Sequence, residues 1–342
     1  MTVDMKIWSG RVDDEDGDLG QRFHQRVQSA ETADEPGIML IGFACDEGVS
    51  RNKGRTGAYA GPNKIRRALA NLPSHKAVPL YDVGNVCCDD HDLCKAQKQL
   101  ADTISAAIKQ KHIPIVLGGG HEVAWGSFQG LANHFQQKGH HSPPNIGIIN
   151  FDAHFDLRTP HNESLHGSSG TPFAQIAEFC TNHHWPFHYA CIGVSRTSNT
   201  QALFDKASAL SVFSIEDTEL HTESRFALRE KLRSFIDRVD AIYLTIDLDV
   251  LPAAVAPGVS APATHGVDYP TIELLVRDVV QAKDERNNSK LKLADIAELN
   301  PRFDIDDQTA RIAARLVWTI TNYIDHQKHQ PLSLKNKECH HD

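Results

Sequence analysis

Short apolar runs that alternate with helical patterns are the feature of this sequence that most restricts its fold. The runs NIGIINFD (145–152) and AIYLTIDLD (241–249) carry Ile, Val and Leu with little polar alternation. Strands with both faces buried have this composition, and such strands belong to parallel sheets that helices cover on both sides. The predicted strands span 37–45, 113–119, 145–152, 189–194, 241–249 and 291–299, with a weaker candidate at 211–215.

Helical periodicity separates these runs. Apolar residues recur every three or four positions in the segments 93–108, 272–279 and 310–317. Asp306 or Asp307 is the predicted N-cap of the third helix. Pro62 is predicted in the first turn of a short helix that ends near Leu72. Alternating strands and helices predict a single α/β domain over residues 37–325, with helices on both faces of one sheet.

The two ends of the chain are predicted to lie outside this domain. Residues 1–36 are polar and acidic and are expected to form an N-terminal arm, and residues 326–342 are expected to form a C-terminal tail. The N-terminal segment lacks the apolar stretch of a secretion signal, and no apolar run reaches membrane-spanning length. A membrane partner is therefore not expected.

Charge and cysteine content restrict the class of function. Lysine and arginine number 35 against 44 aspartates and glutamates, a net charge of −9, so a nucleic-acid partner is not expected. The 7 cysteines are odd in number and show no C-x-x-C spacing. Reduced thiols and a cytoplasmic location are therefore expected.

Three of the predicted strands lead into ionisable side chains, in the segments GGGHE (118–122), DAHFDLR (152–158) and DLD (247–249). Ligands of open α/β sheets bind beyond the carboxyl ends of the strands. A single residue of this kind is usually a cap or a loop residue. Alternate positions of DAHFD share one face of the strand, however, and burying three ionisable groups there is unfavourable without a counter-charge.

A pair of divalent cations would supply that counter-charge to the four aspartates, Asp152, Asp156, Asp247 and Asp249. Oxygen-rich sites with one imidazole per ion favour Mn²⁺ over zinc, because thiolate ligands are absent. Two ions about 3.5–4 Å apart share a water and lower its pKa towards neutrality. The glycines of GGGHE are expected to let the backbone turn sharply beside the ions.

These motifs resemble those of the ureohydrolase family, which includes arginases and agmatinases. The matching strings are GGGHE (118–122), DAHFD (152–156), DLDVLP (247–252) and AELNP (297–301), and the segment from Gly57 to Pro62 extends the match. The resemblance implies a three-layer αβα fold with a mainly parallel eight-stranded sheet, and hydrolysis of C–N bonds in guanidino or amidino compounds. It also implies two Mn²⁺ ions, one held by His121, Asp152, Asp156 and Asp247 and the other by His154, Asp152, Asp247 and Asp249.

Within the family, further strings resemble the formimidoylglutamase branch, whose members split N-formimidoyl-L-glutamate into L-glutamate and formamide in histidine degradation. The strings are GRTGAYAGP (54–62), DLR (156–158), SSGTPFAQI (168–176) and SRTSNTQALF (195–204). Arg158 stands where arginases have an Asn that meets a substrate carboxylate, and an arginine can bind a carboxylate bidentately. Arg196 and Asn199 are further predicted ligands of the substrate tail.

The expected reaction assigns roles to three more side chains. Glu298 is expected to pair with the amidinium nitrogens and to orient the amidine carbon. Asp156 is expected to pass a proton to the leaving amine, and His166 matches a family histidine that shuttles protons, with His161 as a nearby competitor. The expected partner is thus a small molecule, and a homo-oligomer is expected because family members often assemble.

Three alternatives stay open on the sequence alone. The first is another ureohydrolase, such as an agmatinase or a guanidino-acid hydrolase. The second is a metal-binding regulator without catalysis on the same scaffold. The third is a histone-deacetylase-like amidohydrolase with one zinc, against which the second-metal residues His154 and Asp249 argue.

Overall fold

The computed structural model describes residues 3–75, 78–137, 143–159 and 167–324. In these residues, 9 strands form one sheet. The strands are β1 (Val27–Ser29), β2 (Ile38–Ala44), β3 (Leu80–Cys87), β4 (Ile113–Leu117), β5 (Ile146–Phe151), β6 (His188–Val194), β7 (Phe213–Glu216), β8 (Ala241–Asp247) and β9 (Leu291–Ala297). The α-helices are α1 (Phe23–Arg26), α2 (Glu47–Arg51), α3 (Gly61–Ala70), α4 (Leu93–Lys109), α5 (Val123–Gln137), α6 (Pro172–Asn182), α7 (Gln201–Ala209), α8 (Asp217–Thr222), α9 (Arg225–Ile236), α10 (Tyr269–Val280) and α11 (Gln308–Tyr323).

The order of the strands brings the motif-bearing strand ends to the middle of the sheet. Across the sheet the order is β1-β3-β2-β4-β9-β8-β5-β6-β7, and every neighbouring pair is parallel. The carboxyl ends of β4, β9, β8 and β5 therefore lie side by side at one edge. Strands β2 to β4 lie in one half of the sheet and β5 to β7 in the other, with β8 and β9 between them. The direction in which successive strands are added to the sheet therefore reverses near its middle, and open α/β sheets bind ligands at such a point.

Helices cover both faces of the sheet and give three layers. Adjacent residues of one strand enter different apolar cores, since Ile149 packs in one core and Ile148 in the other. This is the twofold alternation of a buried strand. Residues of α3, α9, α10 and α11 complete the first core, and residues of α4, α5 and α6 complete the second. The predicted α/β fold with a three-layer arrangement is confirmed.

The implied number of eight strands is wrong, because the sheet has 9 strands in the described residues. All seven predicted strands are present, and the apolar pattern misses β1 and β3. Strand β1 has only three residues. Strand β3 contains Asp82, Gly84 and Asn85, so it lacks the continuous apolar composition of the other strands.

Part of the predicted N-terminal arm packs on the sheet. Strand β1 pairs with β3 at the edge of the sheet, and Trp8 and Phe23 are buried. The boundary at residue 36 stays a prediction. The predicted tail, residues 326–342, lies outside the described residues.

The predicted helices are present as α4, α10 and α11, and Pro62 lies in the first turn of α3. Asp307 does stand at the N-cap position of α11, but its side chain makes no capping hydrogen bond. The Asp304 carboxylate accepts hydrogen bonds from the Thr309 and Ala310 amides instead, at 2.9 and 3.0 Å. Asp304 therefore caps the helix, although it lies further from the first helical residue than the predicted N-caps Asp306 and Asp307.

No helix in the described part of the chain is long and apolar enough to cross a membrane. The cysteines described there, Cys45, Cys87, Cys88, Cys94, Cys180 and Cys191, are free thiols.

A buried ion pair fastens β3 to α3. The Arg66 guanidinium donates to both Asp82 oxygens at 2.8 Å, and Trp8 Nε1 donates to the same carboxylate at 2.8 Å. Arg66 is 1% exposed and Asp82 is 0% exposed. Because each charge has no access to water, each depends on the other.

We expect Asp82→Ala to lower the free energy of unfolding by about 3–5 kcal/mol, because Arg66 then stays buried without its counter-charge. Urea unfolding measures this change. Asp278→Ala is the control, since Asp278 pairs with the half-exposed Arg229 and such pairs contribute at most about 1 kcal/mol. Losses of equal, small size in the two variants would contradict a structural role for the buried pair.

Candidate metal centre

Three strands deliver ionisable side chains to the same place. His121 follows β4, Asp152 follows β5, and Asp247 ends β8. Strands β5 and β8 are direct neighbours, with Phe151 opposite Ile246, so the two aspartates lie one position further along adjacent strands. His121, Asp152 and Asp247 are all buried.

The first group of potential ligands, the His121 group, consists of His121, Asp152, Asp156 and Asp247. His121 Nδ1 lies 3.0 Å from one oxygen of each of the three carboxylates. It nevertheless makes no hydrogen bond of acceptable geometry to any of them. The ligand atoms lie within 4.8 Å of one another. Four potential ligand atoms this close together, one of them a buried nitrogen without a hydrogen bond, form an arrangement that suits one cation.

The second group, the His154 group, consists of Asp152, His154 and Asp249. His154 Nδ1 lies 3.1 Å from an Asp249 oxygen and 3.5 Å from an Asp152 oxygen. Asp152 belongs to both groups, with a different oxygen facing each histidine. Asp247, expected in both ligand sets, is grouped here only with His121, although its Oδ1 accepts a hydrogen bond from the Asp249 amide at 2.8 Å.

Burial and mutual repulsion make these carboxylates dependent on nearby positive charge. Burial, followed by the charges of Asp249 and Asp152, raises the pKa of Asp247 well above its ordinary value. Burial is also the main reason that the pKa of Asp249 rises to about 6. Burial lowers the pKa of His121, but its contacts with three carboxylates raise that pKa more. Two imidazoles and four carboxylates without a thiolate fit a divalent ion that prefers oxygen and nitrogen ligands.

Neighbouring side chains orient the ligands. The Thr245 hydroxyl lies 3.0 Å from His121 Nε2, which leaves Nδ1 as the nitrogen that faces the carboxylates. Asn150 Nδ2 donates to Asp152 Oδ2 at 2.9 Å. Groups of this kind fix the direction and tautomer of metal ligands. The sequence analysis did not select Thr245 or Asn150, although each lies two residues before a predicted ligand, on the same face of its strand.

The glycines before His121 serve close packing instead of the sharp turn that was expected. Gly118, Gly119 and Gly120 do not have a positive φ. A Cβ atom on Gly119 would lie 1.7 Å from the Cys45 carbonyl oxygen. The loop after β4 therefore contacts the chain after β2 at a distance that only glycine permits.

Glu298 follows β9 and lies beside the His121 group. Its Oε1 accepts a hydrogen bond from the His121 amide at 2.7 Å, and its Oε2 accepts one from the Ser260 hydroxyl. Burial, followed by the charge of Asp247, raises the pKa of Glu298 to about 8. Glu298 and Asp156 both have left-handed backbones, with φ of 68° and 47°. Strain of this kind at non-glycine residues concentrates at functional sites.

A cavity of about 580 Å³ opens onto both metal groups. His154, Asp156, Asp247, Asp249 and Glu298 line it, together with Arg158, Lys206 and Asn52. Arg158 Nη1 donates to Asn52 Oδ1 at 2.7 Å. The structure thus brings predicted metal ligands, Glu298 and Arg158 to one cavity. Another cavity, of about 470 Å³, lies between α9 and α10 and is lined by neither metal group.

Two predicted ligands of the substrate tail are engaged elsewhere. Arg196 is exposed and does not line the cavity, because its guanidinium pairs with the Glu216 carboxylate. Asn199 does line the cavity, but its Oδ1 accepts from the Phe155 amide and its Nδ2 donates to the Ala153 and Ser195 carbonyls. It therefore holds the DAHFD loop in place, and its side chain has little capacity left for a ligand.

The predicted proton shuttle His166 and its competitor His161 lie outside the described residues. Their roles stay predictions.

The match to a known protein family extends along most of the chain. The family model described as the arginase family matches residues 36–322. The chain belongs to the arginase family. A formimidoylglutamase from Aliivibrio fischeri is 54% identical over 334 residues, which covers 94% of this chain and 95% of that relative. The predicted resemblance to the formimidoylglutamase branch of the arginase family is thereby confirmed.

Solved structures of arginase-family proteins share the fold. A formimidoylglutamase from Bacillus subtilis has a TM-score of 0.77 at 23% identity and covers 92% of this chain, which itself covers 94% of that chain. A formiminoglutamase from Trypanosoma cruzi, with Mn²⁺, has a TM-score of 0.74 at 22% identity. The match covers 85% of this chain and 95% of that chain. The arginase-family fold and a His/Asp cluster suited to metal therefore occur together in this chain.

We expect Asp152→Ala to abolish Mn²⁺ binding, because Asp152 belongs to both ligand groups, and Asp249→Ala to remove about one of two ions. Metal analysis after loading with Mn²⁺ and desalting measures the content. Asp217→Ala is the control: Asp217 is buried and lies 3.5 Å from His265 Nδ1, but it belongs to neither group. A folded Asp152→Ala variant that keeps its full Mn²⁺ content would refute the shared-ligand interpretation.

Proposed function

We propose that this protein is a formimidoylglutamase, which uses water to split N-formimidoyl-L-glutamate into L-glutamate and formamide. The observation that carries the proposal is the single cavity that joins the metal groups to Arg158. An amidine requires a site that activates water, and a glutamate tail requires a cation. The name of a relative that is 54% identical over nearly the whole chain supports the same reaction.

Two Mn²⁺ ions are the proposed cofactors. His121, Asp152, Asp156 and Asp247 would hold one, and Asp152, His154 and Asp249 would hold the other, with Asp247 near enough to Asp249 to serve both. When bound, such ions would supply Lewis acidity, which lowers the pKa of water and makes it a better nucleophile. The orphaned Nδ1 of His121 and the absence of thiolate from these groups support this choice of metal.

Glu298 is proposed to bind the amidinium of the substrate. The Ser260 hydroxyl and the His121 amide each occupy one lone pair of its carboxylate, and each oxygen keeps another acceptor site. A cationic amidinium would favour the charged form of this buried acid. With Glu298 fixed from two sides, the planar amidine carbon is held in one orientation above the metal groups.

Asp156 and His166 are the proposed carriers of protons. Water addition to the amidine carbon leaves a proton that has to reach the glutamate nitrogen before the C–N bond breaks. Asp156 lines the cavity and belongs to the His121 group, so its carboxylate is placed to transfer that proton. His166 is proposed, from the family resemblance, to exchange protons with the solvent.

Arg158 is proposed to bind a carboxylate of the substrate. Its side chain lines the cavity, and its one described hydrogen-bond partner, Asn52, is neutral. A guanidinium that has no carboxylate partner among the described residues, in such a place, favours an anionic ligand. This argues against the alternative of an agmatinase, because agmatine has no carboxylate.

A cytoplasmic location and assembly into a homo-oligomer stay part of the proposal.

A substrate panel tests the function. We expect the Mn²⁺-loaded protein to release L-glutamate and formamide from N-formimidoyl-L-glutamate, and to release little urea from agmatine or L-arginine, since their tails do not match a dicarboxylate site. Product identification by mass spectrometry distinguishes these reactions. Urea release from agmatine as the dominant activity would replace the proposal with the alternative function. No turnover of any amidine or guanidine would favour the metal-binding regulator.

Replacing Arg158 tests the binding of the substrate tail. We expect Arg158→Met to raise KM for N-formimidoyl-L-glutamate about tenfold or more, because a hydrogen bond between charged groups contributes about 1.5–3 kcal/mol. The Mn²⁺ content should not change. Arg196→Met is a matched control, since that arginine pairs with Glu216 outside the cavity. An unchanged KM in Arg158→Met would remove Arg158 from the proposed binding site.

A further inference from the structure

We propose that Lys206 binds the side-chain carboxylate of the substrate, and that Arg158 and Lys206 together select a dicarboxylate. This inference rests on the proposed function and deepens it. No sequence motif singled out Lys206, which lies on helix α7, 48 residues after Arg158. Both side chains line the cavity that opens onto the metal groups.

The surroundings of Lys206 leave its charge available. Its Nζ donates a hydrogen bond to the Thr159 hydroxyl at 3.1 Å, and it forms no ion pair with a carboxylate of the described residues. Lys231 shows the usual alternative, since its Nζ contacts both Glu219 and Glu223. Burial lowers the pKa of Lys206, partly offset by the charge of Glu178. A half-buried ammonium with a neutral partner is suited to an anionic ligand.

The position of Lys206 relative to Arg158 assigns one carboxylate to each. Thr159, the hydrogen-bond partner of Lys206, follows Arg158 directly in the chain, so the two cations approach the same wall of the cavity. Arg158 lies only two residues after the metal-group residue Asp156. It is therefore placed for the carboxylate next to the reacting C–N bond, and Lys206 for the carboxylate at the far end of the side chain.

The gradient of burial supports binding with the amidinium at the base of the cavity and the two carboxylates towards its mouth. Asp247, Asp249 and Glu298 are almost completely buried, whereas Arg158 is exposed and Lys206 is half-buried. The cavity thus runs from carboxylates at its base to cations near its mouth. A molecule with an amidinium at one end and two carboxylates at the other matches this order of charges, and the reverse orientation would place like charges together.

The test compares two substrates that differ only in the far carboxylate: N-formimidoyl-L-glutamate and N-formimidoyl-L-2-aminobutyrate. We expect Lys206→Met to raise KM for the first about tenfold or more, to change KM for the second less than about twofold, and to leave kcat near the wild-type value. Lys206→Arg should restore most of the lost affinity. The control Lys95→Met, at an exposed lysine that pairs with Asp90, should change neither KM.

A second measurement does not require turnover of an altered substrate. L-Glutamate and L-2-aminobutyrate are tested as competitive inhibitors, and Lys206→Met should weaken inhibition by L-glutamate alone. Equal rises of KM for both substrates would show that Lys206 acts only by holding Thr159, and unchanged KM values would show that it binds neither; each result overturns the inference. If the wild-type protein does not hydrolyse N-formimidoyl-L-glutamate, the proposed function fails and the inference fails with it.

Discussion

Repulsion among the carboxylates Asp152, Asp156, Asp247 and Asp249 is the constraint on which the rest of the site depends. These groups converge at a sheet edge from which water is largely excluded, and burial disfavours the charged form of each. Thr245, Asn150 and backbone amides contact the potential ligand residues through hydrogen bonds and fix the orientation of their side chains. The surrounding fold therefore stabilises an arrangement that is complete only with cations.

The sheet accomplishes this convergence through its order. In the chain, about 90 residues separate β5 from β8 and about 170 separate β4 from β9, yet the four strands lie together as β4-β9-β8-β5. Because all four run parallel, each contributes its carboxyl end to the same edge. Rigid strand ends place side chains more precisely than loops do. This explains why three of the metal ligands directly follow or end a strand.

The sequence sufficed to select residues that the structure brings together as potential metal ligands, because they lie in short motifs at the ends of strands with a clear apolar pattern. It did not suffice where a side chain has several partners to choose from. Arg196 lies in a loop next to the cavity, but its guanidinium pairs with Glu216 at the surface. The local sequence around Arg196 does not indicate this pairing. Asn199 is close to the site and still serves the backbone of the DAHFD loop. Strand β3 was not predicted because it contains the charged residue Asp82. That residue is buried only because it pairs with Arg66 of helix α3, which the local sequence does not show.

The groups proposed to perform chemistry and the groups proposed to select the substrate belong to different parts of the fold. The proposed metal ligands lie on or beside strand ends, whereas Arg158 lies on a connecting loop and Lys206 on a helix. Loops tolerate replacement of their side chains better than the buried centre of a sheet does. A family with this division can keep one way of activating water and change the tail that it recognises, because exchanging a cation at the cavity mouth does not disturb the carboxylates at its base. On this proposal, the substrate is selected by a few residues that lie outside the metal-ligand motifs.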